Sequence, residues 1–178
     1  MNLYIMRHGR TTWNEIGIVQ GRSSNPLSDF GISQVEQKSK QFNFEPLDII
    51  FCSPLKRTIQ TAEIVTKYHP CRIIYSNHLT EIDQGIFTGK SKNELSADEI
   101  KQKNTRSHSS MEQFASVYNR AGLFLDELKK QSYSNVLIVT HDIVAIMLEN
   151  IILEKQLNSS CSNFVNDFDN AEIKHFII

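Results

Sequence analysis

Leu3-Tyr4-Ile5-Met6-Arg7-His8-Gly9-Arg10-Thr11-Thr12-Trp13-Asn14 is the stretch whose reading decides the fold. Four apolar residues in a row read as a buried strand. The run breaks at once into a cation, an imidazole and a glycine. In open α/β sheets ligands bind outside the carboxyl ends of strands, so the break reads as a site. Gly9 lets the backbone turn sharply or approach a ligand closely. Arg7 can hold an oxyanion through its planar fork of donors, and His8 beside it can act as nucleophile or base. Arg-His-Gly alone is a common three-residue coincidence, so its weight depends on whether the rest of the chain converges on it.

The chain has 178 residues, which suits one domain over 1–178 with a sizeable core. A net charge of −1 gives no bias toward nucleic acid or an anionic membrane, and neither is expected as a partner. The N-terminal apolar run is too short for a signal peptide or a spanning helix. Cleaving it would also remove the site, so a cytoplasmic address is expected. Cys52, Cys71 and Cys161 are odd in number and widely spaced, fitting neither a disulfide framework nor a zinc site. No carboxylate or thiolate cluster suggests a metal, and no cofactor is expected. Nothing in the sequence specifies an oligomeric state.

Outward from the first strand, Gly9 to Ser28 reads as a polar loop. Ser28 is a good N-cap for a helix from Asp29 to about Phe42, with Val35 inward; Gly31 in its first turn is unfavourable for a helix. Asp48 to Cys52 is a second buried strand. Ser53-Pro54 then reads as an N-cap with proline at the first helical position, opening a helix to about Lys67 with Ala62 and Val65 inward. Arg57 in its first turn can reach the strand's carboxyl end. Arg72 to Tyr75 is a third strand, and Leu79 to Gly89 an ordered loop. Ser91 to Ser110 reads as one polar helix followed by a mobile segment; Lys90 just before it and Lys92, Lys101, Lys103 and Arg106 within it read as a solvated face, the alternative being a lid that meets a polyanionic substrate. Met111 to Lys130 is an amphipathic helix. Asn135 to Thr140 is the strongest strand and ends in His141-Asp142, with an apolar helix from Ile143 to Leu153. From Cys161 two strand-like runs flank a turn at Asp169-Asn170. Strands alternating with helices predict an α/β three-layer sandwich, a mostly parallel sheet with helices on both faces.

In such a sheet His8, His141 and Arg57 gather at one edge beside Arg7. Two arginines and two imidazoles around one pocket suit a phosphoryl group, which carries about −1.5 to −2 charge near neutrality. The string Arg7-His8-Gly9-x-Thr11-x-Trp13-Asn14 resembles the N-terminal signature of the histidine phosphatase superfamily, in its phosphoglycerate-mutase-like branch. Gln20-Gly21, Pro26-Leu27-Ser28 and Gly31 are similar to the segment after it, and Ser53-Pro54-Leu55-x-Arg57-Thr58-x-x-Thr61-Ala62 to the second signature. Leu79-x-Glu81-x-Asp83-x-Gly85-x-Phe87-x-Gly89 resembles the segment bearing the acidic catalyst, and Val136 to His141 the strand bearing the second histidine. The resemblance implies His8 as nucleophile, Arg7, Arg57 and His141 as the phosphate pocket, and Glu81 as proton donor. It implies Asn14 and Gln20 as secondary phosphate or substrate contacts.

Three features depart from the family pattern. Asp142 stands where glycine usually follows the second histidine, and is either a helix N-cap or a second acid. Met111-Glu112-Gln113 replaces Gly-Glu-Ser, keeping only the glutamate, and no acidic residue stands near Ser24. The function implied is metal-independent phosphomonoester hydrolysis through a phosphohistidine, with a small phosphorylated metabolite as substrate. The alternatives are phosphoglycerate-mutase-type phosphoryl transfer, which needs longer enclosing insertions, a phosphohistidine-protein phosphatase, which usually lacks the acid, and a non-catalytic phosphate-recognising module, which needs no nucleophile.

Overall fold

Alternation along β1 (Asn2–Arg7) sends Leu3 and Ile5 to one face of the sheet and Tyr4 and Met6 to the other, and all four are buried. A strand apolar on both faces needs cover on both. The computed structural model, which describes residues 1–43, 45–154 and 168–178, supplies it. The further strands are β2 (Ile49–Cys52), β3 (Arg72–Tyr75), β4 (Asn135–Thr140) and β5 (Ile173–Ile177), in the order β3-β2-β4-β1-β5. The first four are parallel; β5 runs antiparallel to β1.

The helices are α1 (Thr12–Glu15), α2 (Asp29–Gln41), α3 (Lys56–Tyr68), α4 (Ala97–Thr105), α5 (Phe114–Leu128) and α6 (Asp142–Ile152). Val35 of α2 and Ala62 and Val65 of α3 close over Tyr4, Met6, Ile50, Cys52, Leu137 and Val139. On the other face Val117, Ala121 and Leu125 of α5 and Val144 and Leu148 of α6 close over Leu3, Ile5, Ile49, Val136 and Ile138. The result is the α/β three-layer arrangement with a mostly parallel sheet. No helix among the described residues is long and apolar enough to cross a membrane. The strand-like run beginning at Cys161 lies outside the described residues, as does Cys161 itself; the run after the turn is β5.

Several local expectations need correction. The loop after Gly9 contains α1, a single turn closed by a capping box in which Thr11 Oγ1 accepts from the Asn14 amide and Asn14 Oδ1 accepts from the Thr11 amide. Ser28 caps α2 as expected, accepting from the Gly31 amide at 3.1 Å. Helix α3, however, begins after Leu55 rather than Ser53, because the Ser53 hydroxyl is held by His141. Helix α6 takes His141 as its N-cap residue, so Asp142 is its first residue and not its cap.

The glycines at the first loop are steric. A Cβ on Gly31 would lie 1.9 Å from the Arg10 carbonyl oxygen, and one on Gly9 would lie 2.5 Å from Val35 Cγ2. Close approach between the loop after β1 and α2, rather than a sharp turn, is what requires them.

Candidate active site

Parallel register gathers the site. Arg7 lies beside Thr140 and Cys52 beside Val139, so the chain leaves β1, β2 and β4 at one level. His8, Ser53 and His141 are the first residues beyond those ends. Strand β3 hands over to a segment containing two short 3-10 turns, Asn77–Leu79 and Gly85–Phe87, with Glu81 between them. The first turn of α3 lowers Arg57 onto the same edge.

His8 is 3% exposed. Its Nδ1 lies 2.7 Å from the Gly9 carbonyl oxygen, which can only accept, so Nδ1 carries the hydrogen. Nε2 is 3.2 Å from Arg57 Nε, which can only donate, so Nε2 presents its lone pair. Burial, then the charges of Arg57 and Arg7, hold the His8 pKa well below its ordinary value, against the Gly9 hydrogen bond that raises it. The ring is therefore neutral, with its free electron pair beside a guanidinium.

Arg57 is 1% exposed, and its remaining donors reach the Ser23 carbonyl at 2.7 Å and the Gly21 carbonyl at 2.9 Å. Among the described residues no carboxylate lies within salt-bridge distance of it, and burial lowers its pKa to about 10, against the Glu81 charge, which raises it. A buried cation held by neutral carbonyls is electrostatically suited to an incoming anion. Arg7 pairs with Asp142 at 3.3 Å and donates to the Phe168 carbonyl.

Burial raises the Glu81 pKa to about 7 from 4.5, against the Ile82 amide, Arg57 and Arg7, which all lower it. Its Oε1 accepts from the Ile82 amide at 2.8 Å. This carboxyl can both donate and accept a proton near neutrality.

His141 is fully buried, with its ring centroid 5.2 Å from that of His8. Its Nε2 is 2.7 Å from Ser53 Oγ. Among the described residues three buried side-chain polar atoms lack a hydrogen-bond partner: Arg7 Nε, Gln20 Oε1 and His141 Nδ1. All three belong to residues expected at the site, although native interiors rarely leave such atoms unsatisfied.

A cavity of about 180 Å³ is lined by Arg7, His8, Asn14, Gln20, Arg57, Glu81 and Asp142. His141 packs its ring against that of His8 beside this cavity, with Nδ1 unpartnered. Asn14 spends its Oδ1 on the Thr11 cap, so its amide group is its remaining polar contribution. No group of three or more His, Cys, Asp or Glu side chains among the described residues could hold a metal ion.

Other residues emerge only in three dimensions. Lys92 and Lys103 line the same cavity. Arg106 is 4% exposed rather than part of a solvated face; it donates to the Glu112 and Asp83 carbonyls and anchors the segment expected to be mobile. Glu112 pairs with Arg120 at 3.0 Å and Arg22 at 3.1 Å and accepts from the Asp83 amide. This network frames the Glu81 segment from behind. Its glutamate was visible in the sequence, but the partners' spacing carries no local signal.

Comparisons with known proteins give the family and the fold. Phosphoserine phosphatase 1 of Hydrogenobacter thermophilus is 30% identical over 151 residues, covering 80% of this chain and 72% of that one. A protein named "Probable phosphoglycerate mutase GpmB" of Proteus mirabilis is 36% identical over 86 residues, 48% of this chain and 40% of that one. The structure of the alpha-ribazole phosphatase from Shigella flexneri superposes with a TM-score of 0.88 at 24% identity, covering 100% of this chain and 91% of that one; it shares the fold. The model of the histidine phosphatase superfamily, branch 1, matches residues 3–176. With its paired histidines and arginines in place at one sheet edge, this chain belongs to branch 1 of the histidine phosphatase superfamily.

Proposed function

We propose that the protein hydrolyses phosphomonoesters of small metabolites through a covalent phosphohistidine on His8, without a metal ion. The observation that carries the reading is the neutral His8 with Nε2 unprotonated beside a buried Arg57 whose donors rest on His8 and two backbone carbonyls. The phosphatase relatives act in the same direction.

In this mechanism the phosphoryl oxygens take donors from Arg57, Arg7 Nε and His141 Nδ1, which stabilise the charge spread over them in the transition state. Nε2 of His8 attacks phosphorus as the ester P–O bond breaks. Protonated Glu81 gives its proton to the leaving oxygen, so an alcohol departs. The Gly9 carbonyl holds the Nδ1 hydrogen of the resulting phosphoimidazolium. Ionised Glu81 then takes a proton from water as the water oxygen attacks phosphorus; the P–N bond breaks, inorganic phosphate leaves, and both residues return to their starting states.

Phosphate release from para-nitrophenyl phosphate with chelator present tests this. Wild type should turn over and His8→Ala should lose activity by at least about 10³-fold. Metal-dependent turnover that survives in His8→Ala would sink the mechanism. With phosphoglycerate as substrate, inorganic phosphate rather than an isomerised ester marks hydrolysis over mutase transfer.

A further inference from the structure

The two arginines of the cavity are held in different ways. Arg57 rests on His8 and on the Gly21 and Ser23 carbonyls. Arg7 meets a carboxylate. Its Nη1 lies 3.3 Å from Asp142 Oδ1 and donates to the Phe168 carbonyl, while the Phe168 amide donates to the same Asp142 oxygen at 3.2 Å. Arg7, Asp142 and Phe168 thus close a ring of contacts. Phe168 is fully buried; Lys174 Nζ of β5 sits 4.0 Å from its ring centroid and pairs with Glu149 of α6 at 2.9 Å. The ring of contacts is therefore fastened to β5 and α6, and one end of the Arg7 guanidinium is fixed with it.

One donor is left over. Arg7 Nε is a buried polar atom without a partner among the described residues, and Arg7 lines the cavity beside His8. A guanidinium anchored at Nη1 can present Nε with little further ordering when a phosphoryl group arrives. Charge matters as well. The charged groups acting on His8 are Arg57 and Arg7; those acting on Glu81 are Arg57, Asp142 and Arg7, with Asp142 alone negative. Asp142 lines the cavity too, and it opens α6, where a negative charge opposes the positive end of the helix. It therefore offsets part of the field that draws in a phosphoryl group and holds inorganic phosphate after hydrolysis. Glu81, raised to about 7 chiefly by burial, is the carboxyl with a proton to give near neutrality. The two acids of the cavity divide the work, one facing a proton transfer and the other facing Arg7.

We propose that Asp142 is a positioning residue that acts through Arg7: its carboxylate holds Nη1 so that Nε meets a phosphoryl oxygen, and its charge lets inorganic phosphate leave. The inference rests on the phosphatase reading above and deepens it. Two unopposed arginines would bind substrate and product phosphate alike more tightly, which lowers KM without raising kcat and slows release. Where the family pattern usually has glycine, this chain gives up some phosphate affinity and gains a preset Arg7.

Asparagine and alanine separate the two effects. Asp142→Asn keeps an oxygen that can accept from Arg7 and the Phe168 amide but removes the charge; Asp142→Ala removes both. By calorimetry, inorganic phosphate should bind Asp142→Asn at least about threefold more tightly than wild type. With para-nitrophenyl phosphate, kcat/KM should stay within about threefold of wild type in Asp142→Asn and fall by about tenfold or more in Asp142→Ala, with circular dichroism unchanged. A residue that only supported α6 would not tighten phosphate binding when made neutral. Phosphate affinity unchanged or weaker in Asp142→Asn, or equal kcat/KM in the two variants, overturns the assignment. So does loss of propyl phosphate turnover in both variants with para-nitrophenyl phosphate turnover kept, which would make Asp142 a proton donor. Should Asp142→Ala fail to fold, the phosphate affinity of Asp142→Asn decides by itself. If wild-type turnover depends on His8, these outcomes remove only the role of Asp142. If wild type shows no His8-dependent turnover, the phosphatase reading falls first and takes this role with it.

Discussion

Glu81→Gln should stabilise the protein while disabling it, and the gain should depend on pH in a specified way. Burial lifts the Glu81 carboxyl from 4.5 to about 7. Below 4.5 both folded and unfolded chains hold the proton, and the residue contributes no pH dependence. As pH rises from there, the unfolded chain releases its proton and the folded chain does not, so stability falls. The fall is complete once pH has passed about 7, where the folded carboxyl also ionises. At about 1.36 kcal/mol per pH unit the loss totals about 3 kcal/mol. Glutamine keeps the shape, and its carbonyl oxygen can still accept from the Ile82 amide, so the variant escapes the loss. Urea unfolding across pH should show the two proteins similar near 4.5 and Glu81→Gln ahead by up to about 3 kcal/mol near about pH 8. A difference that stays flat across that range would refute the buried-acid reasoning. Turnover of an alkyl phosphate by the same variant should drop by about 10²-fold or more.

The same carboxyl predicts a pH–rate split: kcat/KM for an alkyl phosphate should decline as pH rises through about 7, whereas an aryl phosphate, whose leaving group needs no proton, should lack that limb. Arg57→Lys cannot reach His8, Ser23 and Gly21 together, so kcat/KM should fall by about 10²-fold with the fold retained by circular dichroism. Ser53→Ala leaves a second unpartnered nitrogen on His141 and should cost about 1–2 kcal/mol in urea unfolding, with a kcat loss of about tenfold. Gly31→Ala forces a Cβ to within 1.9 Å of the Arg10 carbonyl oxygen and should cost about 3 kcal/mol or more; a neutral result would mean that α2 can move away from the loop after β1.

The strands were legible because a sheet covered on both faces needs continuous apolar runs, and Leu3–Met6, Ile49–Cys52 and Val136–Val139 are such runs. Their carboxyl ends carried the histidines, so strand pattern and chemistry pointed to one edge together. Helix α1 was not legible, since a single turn has no periodicity to read. Ser53 and Asp142 each looked like caps; tertiary partners, His141 for one and Arg7 for the other, claimed their side chains. Glu81 sits in an irregular segment where local pattern is silent, and only the family resemblance singled it out. Arg106 and Lys103 show the limit of counting charges: composition alone cannot tell an outward cation from one turned inward.

The order of strands has a consequence for how the chain reaches this state. Strand β1 is made first, yet it lies between the last two strands: Leu3 pairs with Val136 on one side and Phe176 on the other. Its backbone groups meet these sheet partners only once residues 135–140 and then 173–177 have been made. Loop closures over such separations are slow to be rewarded, and an apolar strand left waiting is prone to aggregate. His8 follows that strand directly, and its carbonyl accepts from Asn170 Nδ2 and the Ala171 amide. The surroundings of His8 are therefore assembled well after its own strand has been made, and refolding yield should respond to whatever shelters β1.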